Sequence, residues 1–237
     1  MCAFLVKKRK YKTRKHRGGG ANKKWCIVQY DDREITEDLK GLMNRNKHYC
    51  NKHGYTYIFK SSGYDDLPPY WRKVKIVKDL IDSDLYKGVL WMDTDATVFN
   101  MDITLDSFND SMKSFYSSTN SRGNQIFNAG VWIVYNNERG RKILDTWMKK
   151  YNSSKWKRNG TKWHSNSAWA GRNYEQGSFA YNVMPEFQSN VKTEPESTFQ
   201  ATNVLQPNAF ILHFYNDNRP KVSAFLKEYS LPMILEF

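Results

Sequence analysis

Gly88-Val89-Leu90-Trp91-Met92-Asp93-Thr94-Asp95-Ala96-Thr97 is an apolar run that stops abruptly at two aspartates one residue apart. No polar residue interrupts Val89 to Met92, the pattern of a strand buried on both faces in the middle of a parallel α/β sheet. The aspartates then fall at the carboxyl edge of that strand, where open α/β sheets bind their ligands. As the chain bends away, both carboxylates can approach one hard cation through oxygen, and a divalent ion there would bridge a diphosphate. The same tripeptide also suits an ordinary solvated acidic turn, so the flanking sequence has to decide.

Upstream, Trp25 to Tyr30 reads as a first strand that ends at Asp31-Asp32, an edge against which a nucleotide base can rest. Thr36 offers a helix cap, and Leu39, Leu42, Met43, Tyr49, Cys50 and His53 share one helical face closed by Gly54. Tyr55 to Phe59 is a second strand, and Ser61 to Pro69 is turn-rich. Val74, Val77 and Ile81 mark a helix that starts near Trp71 and leads into the opening strand. Alternation of this kind predicts a Rossmann-like, mostly parallel central sheet flanked by helices, in a single domain. There is no Gly-x-Gly-x-x-Gly and no P-loop, so phosphates must be neutralised by other means. A metal on Asp93 and Asp95 would supply that charge.

Downstream, Phe115 to Ser118 and Val131 to Tyr135 read as further strands, the second introduced by Asn128-Ala129-Gly130. The small Ala-Gly pair suits either close approach of a ligand to the backbone or a packing bend. Ile143, Leu144, Trp147, Met148 and Tyr151 share a helix face. The polar stretch 151–173 carries Trp156, Trp163 and Trp169, either to stack on sugar rings or to pin a loop to the body. Glu175-Gln176-Gly177 opens a short helix, and Ala209 to Phe214 is a last apolar strand with His213 near its end and Arg219 and Lys221 beyond. Imidazole beside two carboxylates is a candidate third metal ligand.

The formal net charge of +13 belongs to one end of the chain. Ten of the 37 Lys and Arg residues lie within residues 1–24, which hold no acid, so the rest carries 27 basic against 24 acidic residues. Residues 1–22 are expected to form a disordered basic arm, with weak contact to a membrane surface or nucleic acid among its possible roles, and 23–237 the catalytic domain. Cys2, Cys26 and Cys50 form no metal-binding or redox spacing and favour a reducing compartment. No apolar run is long enough to span a membrane, so a soluble, cytoplasmic protein is expected.

Four blocks together resemble the galactosyl and xylosyl transferase family of retaining glycosyltransferases that includes the xyloglucan xylosyltransferases. They are Asn46-Lys47-x-Tyr49-x-x-x-His53-Gly54-Tyr55, Trp71-x-Lys73, the strand with Asp93-Thr94-Asp95-Ala96, and Asn128-Ala129-Gly130-Val131. Glu175-Gln176 and His213 are weaker echoes, and the resemblance covers most of residues 25–221. It implies a GT-A fold and a metal-dependent transfer of a hexose or pentose from a nucleotide-diphosphate sugar, expected to be a UDP-sugar, to a glycan or glycoprotein acceptor. Mn2+ or Mg2+ would sit on Asp93, Asp95 and His213. The donor would contact Tyr30, Lys73, Asp93, Asn128, Ala129, Gly130 and Lys221. Gln176 and Glu175 would lie at the reacting sugar. Glu175 would serve a double displacement with retention, whereas the family pattern points to Gln176 and same-face attack. Many members carry a membrane anchor where this chain has a basic arm, which leaves a Golgi association open.

Two other readings compete. An apolar strand followed by Asp-x-Asp-x-Thr also opens haloacid-dehalogenase-type phosphatases, with Asp93 as nucleophile and Asp95 as general acid. Such enzymes need a further acidic pair at a later strand end, and Asp31-Asp32 and Asp65-Asp66 both lie upstream. The third reading is a non-catalytic nucleic-acid-binding protein acting through the arm.

Overall fold

In the computed structural model, which describes residues 23–119, 126–206 and 208–234, the apolar run becomes β3 in the middle of the molecule. The expected basic arm, 1–22, lies outside the described residues. In chain order the elements around the run are β1 (Lys24–Tyr30), α1 (Glu37–His53), β2 (Thr56–Lys60), α2 (Pro69–Asp82), β3 (Tyr86–Met92), β4 (Ala96–Val98), β5 (Phe115–Ser118), β6 (Val131–Tyr135) and α3 (Glu138–Lys149). They are followed by β7 (Trp156–Asn159), β8 (Lys162–Ser165), α4 (Glu175–Ser178), β9 (Val191–Glu194), α5 (Glu196–Phe199), β10 (Ile211–His213) and α6 (Val222–Tyr229). Thr36 caps α1 by accepting from the Leu39 amide, and Gly54 ends it with φ 67°, a left-handed conformation that glycine adopts without strain.

The main sheet has the order β2-β1-β3-β6-β5-β9. β1 pairs in parallel with β2 and β3, and β5 with β9, while β6 runs antiparallel to both of its neighbours. A wholly parallel βαβ sheet is therefore not what forms: β6 alone is reversed. Among the described residues between Ser118 and Val131 there is no crossover helix, and a strand that returns beside its predecessor through a short connection runs the other way.

Each strand feeds two cores because the sheet is covered on both faces. Cys26, Val28, Val89, Trp91, Trp132 and Val134 meet Trp71, Val74, Val77 and Ile81 of α2 and Ile143, Leu144 and Trp147 of α3. The alternate residues Trp25, Ile27, Leu90, Met92, Val131 and Ile133 meet Tyr49 and Cys50 of α1, with Phe199, Phe210 and Ile211. This two-sided burial is the reason β3 shows no polar alternation. Full burial of a phenylalanine side chain contributes roughly 1.5–3 kcal/mol, and Phe115, Phe127, Trp132, Trp147 and Phe179 form one contiguous aromatic cluster on the α2–α3 side.

Several elements went unforeseen. The polar stretch 151–173 contains a two-stranded hairpin, β7 with β8. β4 and β10 form a separate antiparallel pair, and α6 lies against α1. β4 has three residues, too few for a period to register, whereas β10 falls inside the strand expected over Ala209 to Phe214 and only its pairing is new. The helix expected over 175–181 is one α turn that widens into a π-helical turn at Phe179–Val183. No helix among the described residues is long and apolar enough to cross a membrane.

Candidate active site

The acidic turn is built by its own backbone. Ala96 donates its amide to the Asp93 carbonyl at 3.0 Å, and Asp93 donates to the Gly130 carbonyl at 2.8 Å, so the chain folds back where β3 ends. β4 then pairs with β10 in the register His213↔Ala96, and Phe214 donates to the Asp95 carbonyl at 2.8 Å. This small pair brings His213, distant in sequence, to the carboxylates. One ligand atom from each of Asp93, Asp95 and His213 lies within 4.8 Å of the others.

Each candidate ligand is held from behind. His213 Nε2 is 3.1 Å from Asp95 Oδ1, and its Nδ1 is 2.5 Å from the buried Gln200 Oε1, so the ring is held in place between a carboxylate and an amide oxygen. Gly130 makes room for that ring: a Cβ there would stand 2.2 Å from His213 Cε1. Arg219 Nε donates to Asp95 Oδ2 at 3.1 Å. Burial works against an Asp95 carboxylate, but His213 and Arg219 outweigh it and hold its pKa well below the carboxylate range. Asp93 Oδ1 accepts from Lys73 Nζ at 2.8 Å and from Trp91 Nε1 at 2.9 Å. Burial likewise opposes the Lys73 ammonium, and Asp93 and Glu175 overcome that to raise its pKa.

A cleft of about 600 Å³ opens over these groups, lined among others by Tyr30, Asp32, Arg72, Lys73, Asp93 and Arg219. That volume suits a small-molecule ligand. Arg72 donates to the Tyr30 hydroxyl at 2.9 Å and to the Asp32 carboxylate, which fixes the Tyr30 ring at the wall. Thr94 donates to Asp31 Oδ2 at 2.7 Å, and Arg33 grips the same carboxylate through Nε and Nη2 at 2.8 and 2.7 Å.

The remaining expected residues are placed as follows. Asn128 Oδ1 accepts from the Gly130 amide at 2.8 Å, and Ala129 donates its amide to Gln176 Oε1 at 3.0 Å, so the Asn-Ala-Gly turn, Gln176 and the acidic turn form one unit. Glu175 is only 4% exposed, stands 3.7 Å from Lys73 Nζ, and its Oε2 has no hydrogen-bond partner. Burial pushes its carboxyl up to about 7. Lys221 turns to Asn218 Oδ1 at 2.8 Å and is absent from the cleft wall, where Arg219 stands instead. Arg72, Arg33, Thr94 and Gln200 were not foreseen: an arginine between Trp71 and Lys73, or a lone glutamine, carries no periodic or motif signal.

Residues 29–114 match the model of the galactosyl transferase GMA12/MNN10 family. The match runs from the end of β1 to the residue before β5 and includes Lys73, Asp93 and Asp95. The chain is a glycosyltransferase. Its fold is GT-A, with the mostly parallel sheet and flanking helices expected from the sequence. A glycosyltransferase involved in glycosylation of the major capsid of PBCV-1 has this fold, with a TM-score of 0.67 at 17% identity over 87% of this chain and 100% of its own. The glycosyltransferase GlyE of Streptococcus pneumoniae TIGR4 matches with a TM-score of 0.50 at 14% identity over 90% of this chain and 67% of its own. A Drosophila β1,4-galactosyltransferase 7 solved with manganese, UDP-Gal and xylobiose matches with a TM-score of 0.48 at 11% identity over 84% of this chain and 74% of its own. No curated protein matches the chain in sequence. The motif-based family resemblance is thus borne out over residues 29–114, and the phosphatase reading of Asp93 and Asp95 is set aside.

Proposed function

We propose that this glycosyltransferase moves a hexose or pentose from a nucleotide-diphosphate sugar, a UDP-sugar, to a hydroxyl of a glycan or glycoprotein acceptor, with retention of configuration. The observation that carries the proposal is the convergence of Asp93, Asp95 and His213 on one point beneath a cleft whose wall also holds Lys73, Arg72 and Arg219. Two carboxylate oxygens and an imidazole nitrogen suit manganese, or magnesium less well because of the nitrogen. Gln200 behind His213 is the partner such a ligand requires. The bound ion would offset the charge that develops on the leaving diphosphate.

The chain's own groups do the rest. Lys73 and Arg219 are the fixed cations beside the two carboxylates, placed to hold a diphosphate and to stabilise it as it takes up charge. Arg219 takes the role expected for Lys221. Tyr30, braced by Arg72, offers its ring to the base. Gln176, held on the Ala129 amide, orients the Asn128-Ala129-Gly130 turn on which the transferred sugar would rest. Glu175 is buried and its carboxylate faces Lys73, a poor position for a nucleophile under an anomeric carbon. Its placement supports same-face attack over double displacement and recasts Glu175 as a positioning residue for Lys73. The buried free thiols Cys26 and Cys50 suit a reducing compartment.

Asp95→Asn keeps shape and removes charge. It is expected to lower manganese-dependent release of UDP from a UDP-sugar by at least about 100-fold, in line with loss of a charged group at the reacting centre. An unchanged rate in that variant overturns the assignment.

A further inference from the structure

The hairpin of β7 and β8 has no assigned role, and its two faces differ. Opposed residues on an antiparallel ribbon share a face and successive residues alternate. The pairs Trp156↔Ser165 and Arg158↔Trp163 therefore make one face, and Lys157↔His164 and Asn159↔Lys162 the other. The first face is anchored. Trp156 is buried against Tyr70 and Tyr174, and Arg158 lies over Trp163 and donates to the Gly160 and Asp65 carbonyls. The second face is exposed throughout.

Four observations point the exposed face at a ligand. No acid occurs between Asp145 and Glu175, a stretch with seven Lys and Arg residues. Lys157 and Lys162, side by side on that face, have no ion-pair partner among the described residues. Thr161, at the hairpin tip, lines the cleft beside Tyr70, Arg72 and Lys73, so the cationic face leads to the cleft mouth. The loop after β8, tied back by Asn173 to Ser165 and Asn166, presents Trp169 at 64% exposed, an indole free to lie on a sugar ring.

We propose that the exposed face of this hairpin is an acceptor subsite for an anionic glycan, one that carries carboxylate or sulfate groups, with Lys157 and Lys162 as its cations. This rests on the transferase reading and names the substrate class. Four residues of strand span only about 13 Å. A narrow cationic ribbon that ends at a catalytic cleft fits a single glycan chain threaded toward the donor, whereas a nucleic-acid duplex or a bilayer would call for cations spread over a plane. Pairing of this kind is screened by salt, so the binding should weaken as ionic strength rises.

The test is calorimetric titration of the full chain, at low salt, with a heparin-derived octasaccharide and with neutral maltooctaose. Two double variants are compared: Lys157→Glu with Lys162→Glu, and Lys142→Glu with Lys227→Glu, an equal change of net charge placed on α3 and α6. The sulfated chain is expected to bind at least about tenfold tighter than the neutral one, and the hairpin variant to lose about that factor while the control variant loses little. Equal affinity for the two sugars, or equal loss in both variants, overturns the proposal. So does an oligonucleotide or an anionic phospholipid vesicle that outcompetes the octasaccharide for wild type and is released by the hairpin variant. Manganese-dependent release of UDP from a UDP-sugar by wild type is scored separately. Its absence overturns the transferase reading, whereas turnover without charge-selective sugar binding overturns the acceptor subsite alone.

Discussion

Glu175 couples the site to pH. Its carboxyl is buried and raised to about 7, so the folded protein keeps a proton that the unfolded chain releases at the ordinary carboxylate value. Between roughly pH 4.5 and 7 unfolding therefore releases a proton, and this residue's contribution to stability falls as pH rises. Asp95 acts in the opposite sense: its depressed pKa adds stability above the ordinary carboxylate range that is lost on acidification. Urea unfolding of wild type and Glu175→Gln at pH 5, 6 and 7.5 should show the variant gaining on wild type as pH rises. A difference that stays flat would mean that Lys73 keeps Glu175 ionised. At this scale the candidate metal ligands were the legible part. Asp93 and Asp95 announce themselves by stopping an apolar strand, because charge there costs burial energy unless something requires it. Gln200 and Arg72 had no such contrast, since each matters through a partner far away in sequence.

Asn46 shows what a motif can mean at the level of elements. It opens the first of the four sequence blocks, yet it does not line the cleft. From α1 its Nδ2 donates to Gln29 Oε1 and to the Ala96 carbonyl, both at 3.1 Å, and its Oδ1 accepts from the Val98 amide at 2.9 Å and from Thr97 Oγ1 at 3.2 Å. One buried amide thus ties α1 to β1 and β4, and Gln29 in turn donates to the Asp93 carbonyl at 3.0 Å. Farther along the block, His53 bonds the Met101 carbonyl at 2.8 Å and Gly54 supplies the left-handed cap. The block fastens the frame of the acidic turn. Asn46→Leu should cost about 2–4 kcal/mol in denaturant unfolding, because it leaves buried backbone groups unpaired. The folded fraction should bind manganese about tenfold more weakly, as expected when support behind a ligand is lost. Tight manganese binding in that variant would sever the link between β4 and the site. Helices and apolar strands, β10 within Ala209 to Phe214 among them, were readable here from period and caps, and β4 and the β7–β8 hairpin were not, since three or four residues are too few to show a face.

For the molecule as a whole, folding and donor binding are one equilibrium. A ligand that binds only the folded chain, present at about 100 times its Kd, adds roughly 2.7 kcal/mol, and for a chain of this size that raises the Tm by about 5–10 °C. Manganese with UDP should produce a shift of that order in wild type and none in Asp95→Asn, measured by differential scanning calorimetry; equal shifts in both would place the nucleotide elsewhere. The amino-acid order by itself determined the α/β class, the strand that ends in Asp-x-Asp, the helix caps and the residue types able to hold a divalent ion and a diphosphate. These are local properties, set by burial period, backbone sterics and ligand chemistry. The three-dimensional structure alone decided that β6 is reversed, that His213 meets Asp95 through the β4–β10 pair, that Arg219 and not Lys221 reaches the cleft, and that Lys157 and Lys162 share one exposed ribbon face. Each of these depends on contacts between segments far apart in the chain, where pairing and packing energies select one arrangement among many that satisfy the same local pattern.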